Sequence, residues 1–535
     1  MKTPKSFATV SILALLLSVA CSKPPKEKDS AAGPGDAPGA GKAASSAPRP
    51  RAMLELHYRI PARLDELKQE LTAVAGPAVG LIWPHLESLK GISAWVFEPP
   101  DPTPGKMTPP KFVLCMTGKA TDWLYLAQLQ SPEGAPVAFV KDQVQKIRGP
   151  EGSHPVYFLL DKGGVACLGS TEALARDAHG WSAPALPADG VVLLQGHVPS
   201  LFSLGAQQDF AAAVDAAMAL SGVTAKQLQE FKALFAGMEE ARLQIDLGAQ
   251  LASLMRLDFV WKEAPAFFAA PGKSRIPFTG RTLFDLHLEF AGGRWLGIDL
   301  WPLFEAETSA GMQEKVKKFL TDLRTIDVQI ALGEGGTLAH RIDLRADGQE
   351  AFLMEAAGKL ATGAGESDQF SVRQVSKADD LLVWEARPTA AAPLDSQYRL
   401  IVDRLFGGVY RFESRREKGG VVWTGGTWPE APAQELPADN LRAVISLLPM
   451  VNLVLPVIEE HRQTPPPRFT PYPSVPPDPW RVSLRLDPPK KTMTIETQLP
   501  YGVWLRSMKT HPLLVERLNR LQTPAPAKTA PPSDL

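Results

Sequence analysis

The run FDLHLEF, residues 284–290, places Phe284, Leu286, Leu288 and Phe290 on one side of an extended chain and Asp285, His287 and Glu289 on the other. Successive strand residues point to opposite faces, so this alternation predicts a strand with one apolar face. Gly292-Gly293 then leads into Leu296, Ile298 and Leu300, which predicts a half-buried antiparallel hairpin with Asp299 on the second strand. Period two recurs in Leu243/Ile245/Leu247, in Leu338/His340/Ile342/Leu344 and in Val482/Leu484/Leu486. Helical spacing is found in Leu64, Leu67, Leu71 and Val74 after Pro61. It recurs after a Thr224/Gln227 capping box, in Leu228, Phe231, Leu234, Phe235 and Met238. Strand signals outnumber helical ones and short turns join them. The expected class is therefore α+β, antiparallel sheets with helices packed on one face.

Two segments repeat each other. Val156-Tyr157, Phe158, Lys162-Gly163-Gly164-Val165, Gly169 and Leu186-Pro187-Ala188-Asp189 recur in order as Val409-Tyr410, Phe412, Lys418-Gly419-Gly420-Val421, Gly425 and Leu436-Pro437-Ala438-Asp439. Each reads as a hairpin turning at Lys-Gly-Gly, followed by a loop into an apolar run. The expectation is two related lobes from internal duplication, 52–185 and 186–435. A C-terminal section, 436–522, follows with a proline-rich strap at Pro465–Pro479 and a final hairpin and helix, then a disordered tail, 523–535. The apolar run Leu441–Ile458 carries Arg442, Ser446, Pro449, Asn452 and Pro456, so it reads as buried or amphipathic, not as a membrane span.

The 535 residues are 44% hydrophobic, enough to build a real core, and 57 Lys and Arg against 58 Asp and Glu leave a net charge of −1. Without a basic run, nucleic acid is not an expected partner. Lys2 and Lys5 precede an apolar stretch, Phe7–Ala20, too short to span the roughly 30 Å of a bilayer core. It ends in Leu17-Ser18-Val19-Ala20-Cys21, which resembles the lipobox of bacterial lipoproteins. The resemblance implies a signal peptide, 1–20, lipidation at Cys21, and a cell-envelope address on the outer membrane, since Ser22 rather than Asp follows the cysteine. The alternative is a secretory signal cut near Ala20 with Cys21 unmodified. Residues 21–51, rich in Lys, Pro, Ala, Gly and Ser, read as a flexible tether. Loss of Lys2 and Lys5 with the signal would take the net charge from −1 to −3. The order of elements over about residues 52–450 resembles a group of large exported bacterial proteins whose common domain has no assigned function, which implies an architecture and no catalytic residue.

Nucleotide-binding glycine loops, H-E-x-x-H and G-x-S-x-G are all absent from the sequence. Ser170 before Glu172-Ala173-Leu174 reads as a helix cap, and Gly333-Glu334-Gly335-Gly336 as a hairpin turn. The constellation open to chemistry is Asp285, His287 and Glu289, three side chains on one strand face, with Asp299 joining from the partner strand. Such a row can hold a divalent metal or move a proton. The competing reading is a solvated face with His287 exposed and its neighbours paired to Arg or Lys, because Arg242, Asp246, Arg256, Asp258, Arg341 and Asp343 also alternate in charge. His340 reads as a hydrogen-bonded core histidine. Cys115 and Cys167 sit in strand-like runs, either as a disulfide or as apolar core positions, with Trp423 opposite Cys167 in the repeat. The functional expectation is a non-catalytic binding or scaffold lipoprotein, held to the membrane at Cys21, without cofactor or resident metal, facing an envelope protein or an apolar ligand. The alternative is a metal-dependent envelope hydrolase on Asp285, His287 and Glu289.

Overall fold

The computed structural model describes residues 49–59, 68, 89–97, 111–118, 140–147, 156–160, 164–181, 186, 191–200, 237–247, 253–268, 270–301, 304, 311–333, 337–364, 370–389, 407–428, 432–446 and 479–500. The signal peptide, Cys21, the helix expected at Leu64–Val74 except Lys68, most of the one expected after Thr224, the proline-rich strap except Pro479, the expected final helix and the C-terminal tail lie outside them. Met238, assigned to that second helix, instead opens a strand.

Of the described residues 59% are in strands and 14% in helix, which corrects the expected α+β class to a mostly β one. The described helices with defined ends are α1 (Glu172–Asp177), α2 (Gln313–Asp322) and α3 (Glu350–Ala364). The physical reason is the dominance of period-two runs of eight to ten residues, which satisfy their backbone groups through neighbouring strands rather than through local turns.

The chain forms two compact units, Met1–Thr224 with Met238–Asp246, and Ala225–Gly237 with Leu247–Leu535. In the first, the strands are β1 (Leu54–Arg59), β2 (Leu89–Phe97), β3 (Lys111–Gly118), β4 (Val144–Ile147), β5 (Val156–Leu160), β6 (Val165–Gly169), β7 (Val191–His197) and β8 (Met238–Leu247). They pair in the order β4-β5-β6-β3-β2-β1-β7-β8, antiparallel throughout. The expected boundary at 185/186 therefore falls inside this unit. The strand after Leu186 returns to pair with β1, so the Leu-Pro-Ala-Asp loop ends no lobe.

In the second unit the strands are β9 (Ser253–Trp261), β10 (Phe278–Thr279), β11 (Thr282–Glu289), β12 (Arg294–Trp295), β13 (Ile298–Asp299), β14 (Leu323–Leu332), β15 (Leu338–Ala346), β16 (Phe370–Lys377), β17 (Leu381–Pro388), β18 (Tyr410–Glu417), β19 (Gly420–Gly425), β20 (Ala433–Gln434), β21 (Leu441–Ile445), β22 (Trp480–Asp487) and β23 (Thr492–Leu499). Eleven of them pair in the order β16-β17-β18-β19-β15-β14-β11-β21-β22-β23-β9, again antiparallel. The section expected to stand apart from 436 onwards thus supplies β21, β22 and β23 to this sheet. Strands β10 and β20 pair with each other, as do β12 and β13.

Read from β17 to β22, the second order matches the first from β4 to β8 strand for strand, with the two Lys-Gly-Gly hairpins, β5-β6 and β18-β19, in the same place. Their turns differ in length. Glu417 pairs with Gly420 across a two-residue turn at Lys418-Gly419, where φ of +79° at Gly419 suits a residue without a Cβ. Leu160 and Ala166 are separated by five residues, and there Gly164 takes the positive φ. Glu350, the first residue of α3, accepts a bond from the Gly419 amide at 2.9 Å. One face of the second sheet packs under α3 through Leu353, Met354 and Ala357 against Leu323, Trp384 and Val421.

The hairpin expected from Gly292-Gly293 does not form against β11. Positive φ at Gly292 and Gly293, and again at Leu296 and Gly297, turns the chain twice within six residues. Arg294-Trp295 consequently pairs with Ile298-Asp299, Arg294 also bridging back to Ala291, and β11 takes β14 and β21 as its neighbours.

Candidate functional site

The polar face of β11 is covered, which overturns the solvated reading at this strand. Asp285, His287, Asp327, Gln329 and Arg442 are all buried, and His287 is 0% exposed. The cover comes from the segment that runs through Gly272, Ser274 and Arg275 to β10, and from the loop before β21. Gly272 O accepts from the Asp439 amide at 2.9 Å, and a Cβ on Gly272 would run into the Glu289 carboxylate, so a larger residue here would push that side chain aside.

His287 faces Asp327 on β14 and Arg442 on β21. Its Nδ1 donates to Asp327 Oδ1 at 2.7 Å, and its Nε2 lies 3.4 Å from Glu289 Oε1, an ionic contact without hydrogen-bond alignment. Asp285 Oδ2 accepts from Arg442 Nε at 2.9 Å and Oδ1 from Gln329 Nε2 at 3.1 Å. Asp327 Oδ2 also accepts from the Arg275 amide at 3.4 Å. Burial opposes a charged imidazole, but Asp327 and Glu289 outweigh it and push His287 up to about 9, so it is a cation at neutral pH. Burial also works against the Asp327 carboxylate, and bonds from His287 and Ser274 hold it below its ordinary value nonetheless. Asp439 is the reverse case. Burial raises it, and Arg485 at 3.1 Å only partly offsets the cost.

This set is closed. The acceptors of Asp285 are spent on Arg442 and Gln329, and His287 is held between two carboxylates. Among the described residues no group of three or more His, Cys, Asp or Glu is arranged to hold a metal. Asp299 does not join it: it lies on the small β12-β13 ribbon and accepts from the Trp301 amide at 3.0 Å. The expectation that His287 is exposed is wrong, because a covering segment distant in sequence buries it. The expected Arg partner is present, at Asp285. Where no such cover lies over the sheet the charges are solvated, as in Arg256, 2.9 Å from Asp258 and 3.5 Å from Glu496.

Cys115 and Cys167 face each other in register on β3 and β6 and form a disulfide, buried with Trp95, Phe97 and Val113. The residue in Cys167's register place in the second unit is Val422, opposite Asp343, not Trp423, because the shorter turn shifts the count by one. Thr171, not Ser170, caps α1, its Oγ1 accepting from the Leu174 amide at 3.2 Å. Ser170 is instead drawn to β3, where its Oγ accepts from the Phe112 amide at 3.0 Å. The Gly333 amide donates to Thr337 O at 2.7 Å, and β14 and β15 pair on either side. His340 is held by the Tyr410 hydroxyl, 2.9 Å from Nδ1. Burial lowers the histidine and pushes Tyr410 up to about 12. Sequence reading missed Asp327, Gln329 and Arg442. The first two were visible as same-face residues in the run LRTIDVQIAL, 323–332.

No family model matches the chain, and no curated protein matches it. Among solved structures, crystal form I of TP0453 aligns with 40% of this chain and 77% of its own, at 11% identity and a TM-score of 0.22. Crystal form III aligns with 41% and 79%, at 13% identity and a TM-score of 0.22. At that TM-score the likeness carries no argument.

Proposed function

We propose that this chain is a membrane-anchored envelope lipoprotein, lipidated at Cys21 and placed on the outer membrane, that binds or scaffolds rather than catalyses. The observation that carries the non-catalytic reading is the closure of the Asp285–His287–Asp327–Arg442 cluster. Each charged group in it already has a charge partner within the fold, although His287 Nε2 and Gln329 Oε1 make no hydrogen bond, whereas an acid, base or metal ligand needs one position open towards substrate. The Cys115–Cys167 disulfide supports an exported, oxidising location. No described helix is long and apolar enough to cross a membrane; the attachment this reading takes is the lipid on Cys21. The partner it would present its sheets to is an envelope protein or an apolar ligand.

Two measurements test the proposal. Cells fed a clickable fatty acid should label the wild type and not Cys21→Ala, and the variant should leave the membrane fraction. Label retained on the variant overturns the anchor. Elemental analysis of the purified chain should find no stoichiometric zinc or manganese, and one metal per chain lost in His287→Ala would overturn the non-catalytic reading.

A further inference from the structure

His57 in the first unit stands where His287 stands in the second. Leu54-Glu55-Leu56-His57 on β1 parallels Phe284-Asp285-Leu286-His287 on β11, and the two strands hold the same place in the matching orders. On the next strand, Leu89-Lys90-Gly91-Ile92-Ser93 of β2 parallels Leu323-Arg324-Thr325-Ile326-Asp327 of β14. Register agrees across four strands: His57, Ser93, Cys115 and Cys167 lie in one row, and His287, Asp327, Asp343 and Val422 in the other.

An irregularity agrees as well. The ladder shifts between Leu89 and Gly91 where β2 meets β3, and between Leu323 and Thr325 where β14 meets β15, so Lys90 and Arg324 are the extra, exposed residues. The side-chain bonding follows the same plan. His57 is 1% exposed, with Nδ1 3.0 Å from Ser93 Oγ and Nε2 3.3 Å from Glu55 Oε2. In both units Nδ1 reaches the cross-strand partner and Nε2 a carboxylate two residues away on the same strand, before the histidine in β1 and after it in β11.

We infer that His57 and His287 are one structural element present twice, and that each fixes the register of its strand against the next. A slip of one residue would swing the imidazole to the opposite, apolar face and strip it of both partners, a cost that an alternating apolar sequence alone does not impose.

The test is backbone amide exchange on the full-length chain, resolved by peptide. His57→Leu should speed exchange in β1 and β2 at least tenfold and leave β11 and β14 unchanged, and His287→Leu should do the reverse. Asn mimics the Nδ1 donor and Gln the Nε2 donor, so His57→Asn and His287→Asn should each retain more protection than the Gln variant at the same position. This comparison stands even where a Leu variant fails to fold. Unchanged exchange in the strands that carry the substitution, or opposite ranking of Asn and Gln at the two positions, overturns the inference.

Discussion

The two units solve one problem with different chemistry. In the first, the row through His57 ends in a covalent bond between Cys115 and Cys167, set among Trp95, Phe97, Val113 and Ala178. In the second, the corresponding row carries Asp327 and Asp343. The cross-strand hold comes from His287 and Arg442, and from Arg345, which pairs with both Asp343 and Glu417. A disulfide constrains the unfolded chain and is indifferent to pH, whereas a buried ion network depends on every member keeping its charge. The units should therefore fail under different insults, and unfolding should be followed unit by unit, because one midpoint does not describe such a chain.

The largest difference is expected at Arg442. Arg442→Ala leaves Asp285 buried with only Gln329, a loss of about 3–5 kcal/mol. Denaturant unfolding should show the second unit's transition shifted and the first's in place; an equal shift in both would end the contrast. Next comes the covalent clamp. Cys115→Ala with Cys167→Ala, or reduction, opens a loop between residues 52 apart and should cost about 2–4 kcal/mol, confined to the first unit.

The pH dependence is smaller and has a definite sign. With His287 raised from 6.5 to about 9, the folded unit binds the extra proton between those values. Its contribution is complete below 6.5 and is lost as pH rises through 9, on the order of 3 kcal/mol. Asp327, lowered from 3.8, contributes above that value and is lost as pH falls through its depressed one. Second-unit melting at pH 6, 8 and 10 should fall steadily in the wild type and much less in His287→Gln. The smallest effect belongs to the solvated face, where Arg256, 45% exposed, should lose roughly 0.5 kcal/mol or less on Arg256→Ala, and that loss should vanish in high salt.

Period two in residues 284–290, 338–344 and 482–486 sufficed to place strands β11, β15 and β22, and the pairing of Cys115 with Cys167 was among the readings their strand-like runs allowed. The condition of the polar face was not legible. Alternation separates two faces without saying what lies over each, and the cover on His287 comes from residues near 272–279 and 433–440. The neighbours of β11 were misread for a local reason: Gly292-Gly293 is a turn, but Leu296 at φ 51° makes a second one that no leucine announces. The Leu-Pro-Ala-Asp mark was misleading as a boundary, since the strand after it turns back into the unit it follows. The repeat LELH and FDLH lay in plain view, and its value emerged only when register put both histidines in one place.

One further consequence follows from β16. Among the described residues it is hydrogen-bonded to one strand, β17, and the border of a sheet is where a further strand would be recruited. Its ladder breaks between Gln374 and Ser376, throwing Val375 out to 47% exposure, and Arg373 and Lys377 flank the break. A kinked, cationic border is a poor template for a second chain. Copies of this protein crowded together have little means of zipping edge to edge along that strand, so the eleven paired strands of the second unit can lie side by side without seeding fibres there.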